Sequence, residues 1–84
     1  MTTYTMHTDP GHGWLAVSME EINKLGIADK ISTYSYRKGE TAYLEEDCDC
    51  SVFLKAKQAR GEPFKLAETH CNGDSFIRRL PRFH

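Results

Sequence analysis

The hydrophobic and polar positions divide the chain into short, distinct pieces. Thr2–Thr8 is rich in β-branched and aromatic residues (Thr3, Tyr4, Thr5) and predicts a first strand. Asp9-Pro10-Gly11-His12-Gly13 interrupts it with a proline and two glycines, the composition of a tight connection. Trp14–Ser18 then predicts a second strand pairing back on the first, with Leu15 and Val17 on one face and Trp14 and Ala16 on the other. Ser18-Met19-Glu20-Glu21 has the spacing of a capping box and opens a short helix whose buried stripe is Ile22 and Leu25. Gly26 is placed to end that helix in a left-handed conformation, with Ile27 packing back across the end.

Two further strands, Ile31–Arg37 and Glu40–Glu46, are predicted to be joined by a Lys38-Gly39 hairpin turn. That register sets Tyr36 opposite Thr41 and Tyr34 opposite Tyr43, with Tyr34, Tyr36, Thr41 and Tyr43 on one face. Asp49 is the expected N-cap of a second helix running from Cys50 to about Arg60, ended by Gly61 and Pro63. Phe64–Thr69 alternates as another strand, Asn72-Gly73-Asp74 is a turn, and Ser75–His84 is either an edge strand ending near Leu80 or an extended arm.

The predicted fold class is therefore α+β: an antiparallel sheet of four or five strands with two helices on one face, in the order ββαββαβ. Without the first strand the order becomes βαββαβ, the ferredoxin-like alternative. Residues 1–84 form one domain, small enough for a single modest core and too small for a deep site holding a large cofactor.

Charge changes the picture more than composition does. Hydrophobic residues make up 39% of the chain and charged residues 27%, an ordinary globular balance, and the net charge of −1 excludes a general polyanion binder. Residues 1–50 nevertheless carry nine acids against four Lys/Arg, while residues 51–84 carry seven Lys/Arg against three acids. The molecule either pairs these halves internally or has an acidic side and a basic side. Three cysteines and no signal peptide or long apolar run predict a reducing, cytoplasmic setting without membrane attachment.

Candidate chemistry is mostly excluded by spacing. Cys48-x-Cys50 with His70-Cys71 has too short a spacer for a structural zinc pair. Asp47-x-Asp49-x-Ser51 opens like a calcium loop, but its sixth position is Val52 and its twelfth Gln58, where glycine and glutamate are required. A weak magnesium site on Glu45 and Asp47 stands as the lesser reading beside a solvated acidic rim, and no metal or cofactor is expected. Cys50 at a helix start with His70 as base meets opposing influences, since neighbouring acids counteract the helix end. Pro10-Gly11-His12-Gly13 lacks the lysine and the following helix of a P-loop, and Lys38-Gly39-Glu40-Thr41-Ala42-Tyr43 lacks the aromatic octamer of an RNA-recognition motif. His7, Asp9 and His12 make an alternative reading as a metal-dependent or acid–base enzyme. Arg78, Arg79 and Arg82 make another, as a basic arm for nucleic acid.

The aromatic residues Trp14, Tyr34, Tyr36 and Tyr43 collect on the face away from the helices, beside Glu45, Glu46, Asp47 and Asp49. Amphipathic aromatics gathered on one surface mark an interaction site, unless the tail, through Phe76 and Phe83, covers them. Three blocks, Asp9-Pro10-Gly11-His12-Gly13-Trp14-Leu15, Ile31-Ser32-Thr33-Tyr34-Ser35-Tyr36 and Tyr43-Leu44-Glu45-Glu46-Asp47-Cys48-Asp49, resemble a family of small uncharacterised phage and prophage proteins. The similarity extends to about Leu54. It implies a phage accessory protein acting in the host cell and supplies no catalytic residue. The expected function is non-enzymatic: docking on a host or phage protein, alone or as a homodimer, through those aromatics and acids. Inhibition of a host defence or nucleic-acid enzyme is one way it would act.

Overall fold

The computed structural model describes residues 1–84. β1 (Thr2–Thr8) and β2 (Gly13–Ser18) form the expected hairpin, with Thr5 opposite Ala16 and His7 opposite Trp14. The reversal is closed by Asp9, whose N–H donates to the His12 carbonyl at 2.9 Å. Its carboxylate accepts from the N–H groups of Gly11 and His12, each at 3.0 Å. An aspartate bonding the backbone just ahead of it is an Asx-type turn, so this reversal is specified locally.

Ser18 caps α1 (Met19–Leu25) by accepting the Glu21 N–H at 3.2 Å. Gly26 ends the helix at φ +70°, and the Ile27 N–H reaches back to the Ile22 carbonyl at 3.2 Å. The reciprocal half of the capping box is replaced by a long-range contact. Glu21 instead accepts from the Tyr4 hydroxyl at 2.6 Å and from Lys57 Nζ at 3.2 Å, tying α1 to the first strand and the second helix.

β3 (Tyr36–Lys38) and β4 (Thr41–Glu45) make a second hairpin whose register differs from expectation by two residues: Tyr36 lies opposite Tyr43 and Lys38 opposite Thr41. The loop is Gly39-Glu40, with Gly39 at φ +58° and no non-glycine residue at positive φ. A loop of Lys38-Gly39 in the I′ form would force Lys38 into the left-handed region. Glycine as the first loop residue avoids that cost. A shift of two keeps the side chains of β3 and β4 on their expected faces.

Ile31–Ser35 is not strand, because the Asp49 carboxylate folds it into a turn. Asp49 accepts from the Ser32 N–H at 3.0 Å, from the Ser32 hydroxyl at 2.7 Å and from the Ser35 hydroxyl. Asp49 is therefore the first residue of α2 (Asp49–Ala59) rather than its cap. Cys48 holds the cap position without a side-chain hydrogen bond.

α2 carries the chain back along the sheet, so β5 (Phe64–His70) runs parallel to β1, from Thr2 opposite Phe64 to Thr8 opposite His70. The sheet is thus mixed rather than wholly antiparallel, in the order β3-β4-β2-β1-β5. A helical crossover returns the chain to the same end of the sheet and makes the next strand parallel. Tyr4, Leu15, Val17, Ala42 and Leu44 meet Met19, Ile22, Cys50 and Phe53 in one core between the sheet and the two helices. No helix is long and apolar enough to cross a membrane.

The tail is neither a strand nor a free arm. Phe76–Arg79 forms a 3-10 turn capped by Ser75, whose hydroxyl accepts the Ile77 N–H. The chain then runs along the outer edge of β3: the Arg37 N–H donates to the Pro81 carbonyl at 3.0 Å and the Phe83 N–H to the Ser35 carbonyl at 2.8 Å. Phe83 enters the main core, while Ile77 and Trp14 are buried outside it, on the opposite side of the sheet.

Candidate functional site

An open cleft of about 460 Å³ lies where the β1–β2 turn, the Ser32–Ser35 turn, the end of β4 and the tail meet. That volume is in the range of small-ligand and side-chain sites. Trp14, Tyr34 and Tyr36 supply aromatic surface. His12, Glu45, Asp47 and Cys48 bring polar groups and two carboxylates, and Arg78 and Arg82 complete the lining.

Each wall is held by a specific interaction. Tyr34, 62% exposed, rides on the turn that Asp49 organises. The Ser35 hydroxyl that donates to Asp49 also accepts the Glu45 N–H at 3.0 Å, so one buried serine links that turn to β4. Glu45 Oε1 accepts the N–H groups of Asp47 and Cys48 at 2.9 and 3.1 Å, which fixes the carboxylate and shapes the turn leading into α2. Its other oxygen, Oε2, is buried without a hydrogen-bond partner and lies 3.7 Å from His12 Nδ1. Trp14 Nε1 is the only other buried side-chain nitrogen or oxygen left unpartnered. Both atoms belong to residues lining this cleft. Buried polar groups are otherwise almost always paired, and each exception costs about 1–3 kcal/mol until something bonds to it.

The carboxylates of Glu45, Glu46 and Asp47 have no Lys or Arg within ion-pair distance. The cleft's two arginines are engaged elsewhere. Arg78 clamps Asp9 through Nε at 2.6 Å and Nη2 at 2.9 Å, with its guanidinium 5.3 Å from the Trp14 ring centroid. Arg82 lies 4.6 Å over Tyr36 and donates to the Thr33 carbonyl at 3.1 Å.

The eight residues expected at a partner surface separate into groups. Trp14, Tyr34, Tyr36, Glu45 and Asp47 line the cleft, and Glu46 stands exposed beside it. Tyr43 lies apart, packed edge-on against His7 and Phe76 with ring centroids 5.8 and 5.7 Å away, so the tail covers that part of the face. Asp49 is 2% exposed, and its carboxylate is taken up by Ser32 and Ser35; it shapes the surface without belonging to it.

His7, Asp9 and His12 do not assemble. The Asp9 carboxylate accepts from Arg78, from the Ser75 N–H at 3.0 Å and from its own turn, and the Arg78 guanidinium above all holds it well below the usual carboxylate range. His7 faces a separate, smaller hollow with His70 and Phe76, and burial lowers its pKa. Cys50 packs in the core, where burial, then the Glu46 and Glu45 charges, pushes its thiol up, away from nucleophilic use. Of the basic arm only Arg79 is left without an internal role, since Arg78 and Arg82 are committed as described.

Sequence reasoning missed His12, Cys48, Arg78 and Arg82 as cleft residues, along with the Asp9–Arg78 clamp. Asp9 and Arg78 are 69 residues apart, and no local spacing signals such a pair. Compared with models of protein families, with curated proteins and with solved structures, the chain finds no match.

Proposed function

We propose that this protein is a non-enzymatic interaction module that docks on another protein through the Trp14–Tyr34–Tyr36 cleft and its acidic rim. One observation carries the reading: the molecule's two unpartnered buried polar side-chain atoms, Trp14 Nε1 and Glu45 Oε2, both belong to residues that line this cleft. A partner that inserts a lysine or arginine supplies donors for the Glu45 and Asp47 carboxylates and apolar stem for the aromatic wall. A carbonyl beside that side chain is a suitable acceptor for the Trp14 N–H. Aromatics with few rotatable bonds around an open pocket are the usual anchors of such contacts.

The resemblance to small phage and prophage proteins supports a setting in the infected cell. There, a cluster of carboxylates imitating phosphate charge would inhibit or modulate a host defence or nucleic-acid enzyme with a basic site. The test is capture from infected-cell lysate by four purified chains: wild type, Tyr34→Ala, Asp47→Lys and, as control on the far edge of the sheet, Glu68→Lys. Wild type and the control retain the same partner, and the two cleft variants lose it while keeping wild-type circular dichroism. Equal capture by all four would remove the cleft from the interaction.

A further inference from the structure

The geometry points to a divalent-cation site at one end of the cleft, formed by His12, Glu45, Glu46 and Asp47. Each offers one ligand atom, and the four atoms lie within 4.8 Å of one another. Opposite ligands of a six-coordinate ion with bonds of about 2.1 Å stand about 4.2 Å apart and adjacent ones about 3 Å, so the group closes by about half an ångström across the ion and by up to about 2 Å between neighbours. Glu46, Asp47 and His12 are exposed, so closure moves surface side chains rather than the core.

A cluster of acids alone would not carry this, because exposed carboxylates are common on solvated rims. Glu45 distinguishes the site. It is 7% exposed, Oε1 is fixed by two backbone N–H groups, and Oε2 is the buried oxygen with no partner, 3.7 Å from His12 Nδ1. A buried carboxylate oxygen is costly unless a cation or donor meets it. Gly13 contributes room: a Cβ there would stand 2.7 Å from Glu46 Oε2, so glycine lets that carboxylate lie against the β1–β2 turn. The Glu46 N–H donates to the Gly13 carbonyl at 2.9 Å, joining the two loops that supply the ligands. Three carboxylates with one imidazole form a mixed oxygen–nitrogen set, which suits Mn²⁺ or Zn²⁺ better than Mg²⁺ or Ca²⁺.

This inference does not rest on partner capture. The ion binds the free protein, and it competes with a partner's basic side chain for Glu45 Oε2. The experiment is titration of Mn²⁺ into chelator-treated, isotopically labelled protein, followed by paramagnetic broadening of backbone amides and by calorimetry. The expected result is one ion per chain, with broadening centred on His12, Gly13 and Glu45–Cys48, and at least tenfold weaker binding in Glu45→Gln and His12→Gln. Glutamine at position 45 keeps an acceptor for the Asp47 and Cys48 N–H groups, so that variant retains its fold. Asp47→Asn, at an exposed position, gives a further weakened variant that keeps the Asp47 N–H bond to Glu45 Oε1. Broadening centred on His70 and Cys71, or unchanged affinity in all three variants, would overturn the site.

Discussion

Replacing Asp49 with alanine tests how the cleft is built, because one carboxylate holds both the Ser32–Ser35 turn and the start of α2. Its loss leaves the Ser35 hydroxyl, fully buried, without an acceptor for its proton, a cost of about 1–3 kcal/mol. The two bonds from Ser32, which is half-buried, are partly replaced by water, at about 0.5–1.5 kcal/mol each. Asp49→Ala is therefore expected to destabilise the fold by about 3 kcal/mol. For a chain of this size that is a fall of roughly 12–24 °C in melting temperature. Urea and thermal unfolding followed by circular dichroism give both numbers. Ser35→Ala removes the same bond from the other side and also leaves the Glu45 N–H without its acceptor. The double variant should fall short of the sum of the singles by about 1–2 kcal/mol, the mark of residues acting through one network. A loss below about 0.5 kcal/mol for Asp49→Ala, or strict additivity, would refute the network.

Two further outcomes follow from the packing and the charges. Phe83, inserted into the core from the tail, makes Phe83→Ala cost about 3 kcal/mol in urea unfolding, and a loss near zero would mean the tail is not docked. The pH dependence has two parts. Burial lowers the His7 pKa, so the unfolded chain takes up that proton near pH 6.5 while the folded chain resists it; His7→Phe should flatten the decline in stability between about pH 7 and 5. Asp9 is held low by Arg78 and the Ser75 N–H, so wild type and His7→Phe alike should lose stability as pH falls below about 4, measured by unfolding across a pH series. A His7→Phe profile identical to wild type would contradict the first part.

Local signals made much of the fold legible. The element order, the Ser18 cap, the Gly26 and Gly61 helix ends and the faces of β2 and β4 all follow from patterns within a few residues of one another. Other features depend on partners distant in sequence. Ile31–Ser35 has strand-forming composition, yet Asp49, seventeen residues from Ser32, turns it. The parallel docking of β5 beside β1 pairs residues as far apart as Thr2 and Phe64, which no local pattern encodes. The site was legible in residue type and less so in arrangement: the aromatics and acids were visible, while the division between the open cleft and the covered Tyr43 was set by where the tail lies. Asp9 shows the same limit, since its chemistry suggested a catalytic carboxylate and its tertiary role is to clamp Arg78.

Site-specific crosslinking shows whether the cleft is the docking surface. A photo-crosslinking phenylalanine derivative is placed at position 34 in one chain and, as comparison, at Leu66 on β5, which is also exposed. Each chain is irradiated in infected cells, and its adducts are identified by mass spectrometry. Docking through the cleft gives a discrete protein adduct from position 34, suppressed by adding Asp47→Lys to the same chain, and no such adduct from position 66. An adduct from position 66 with none from position 34 would contradict it.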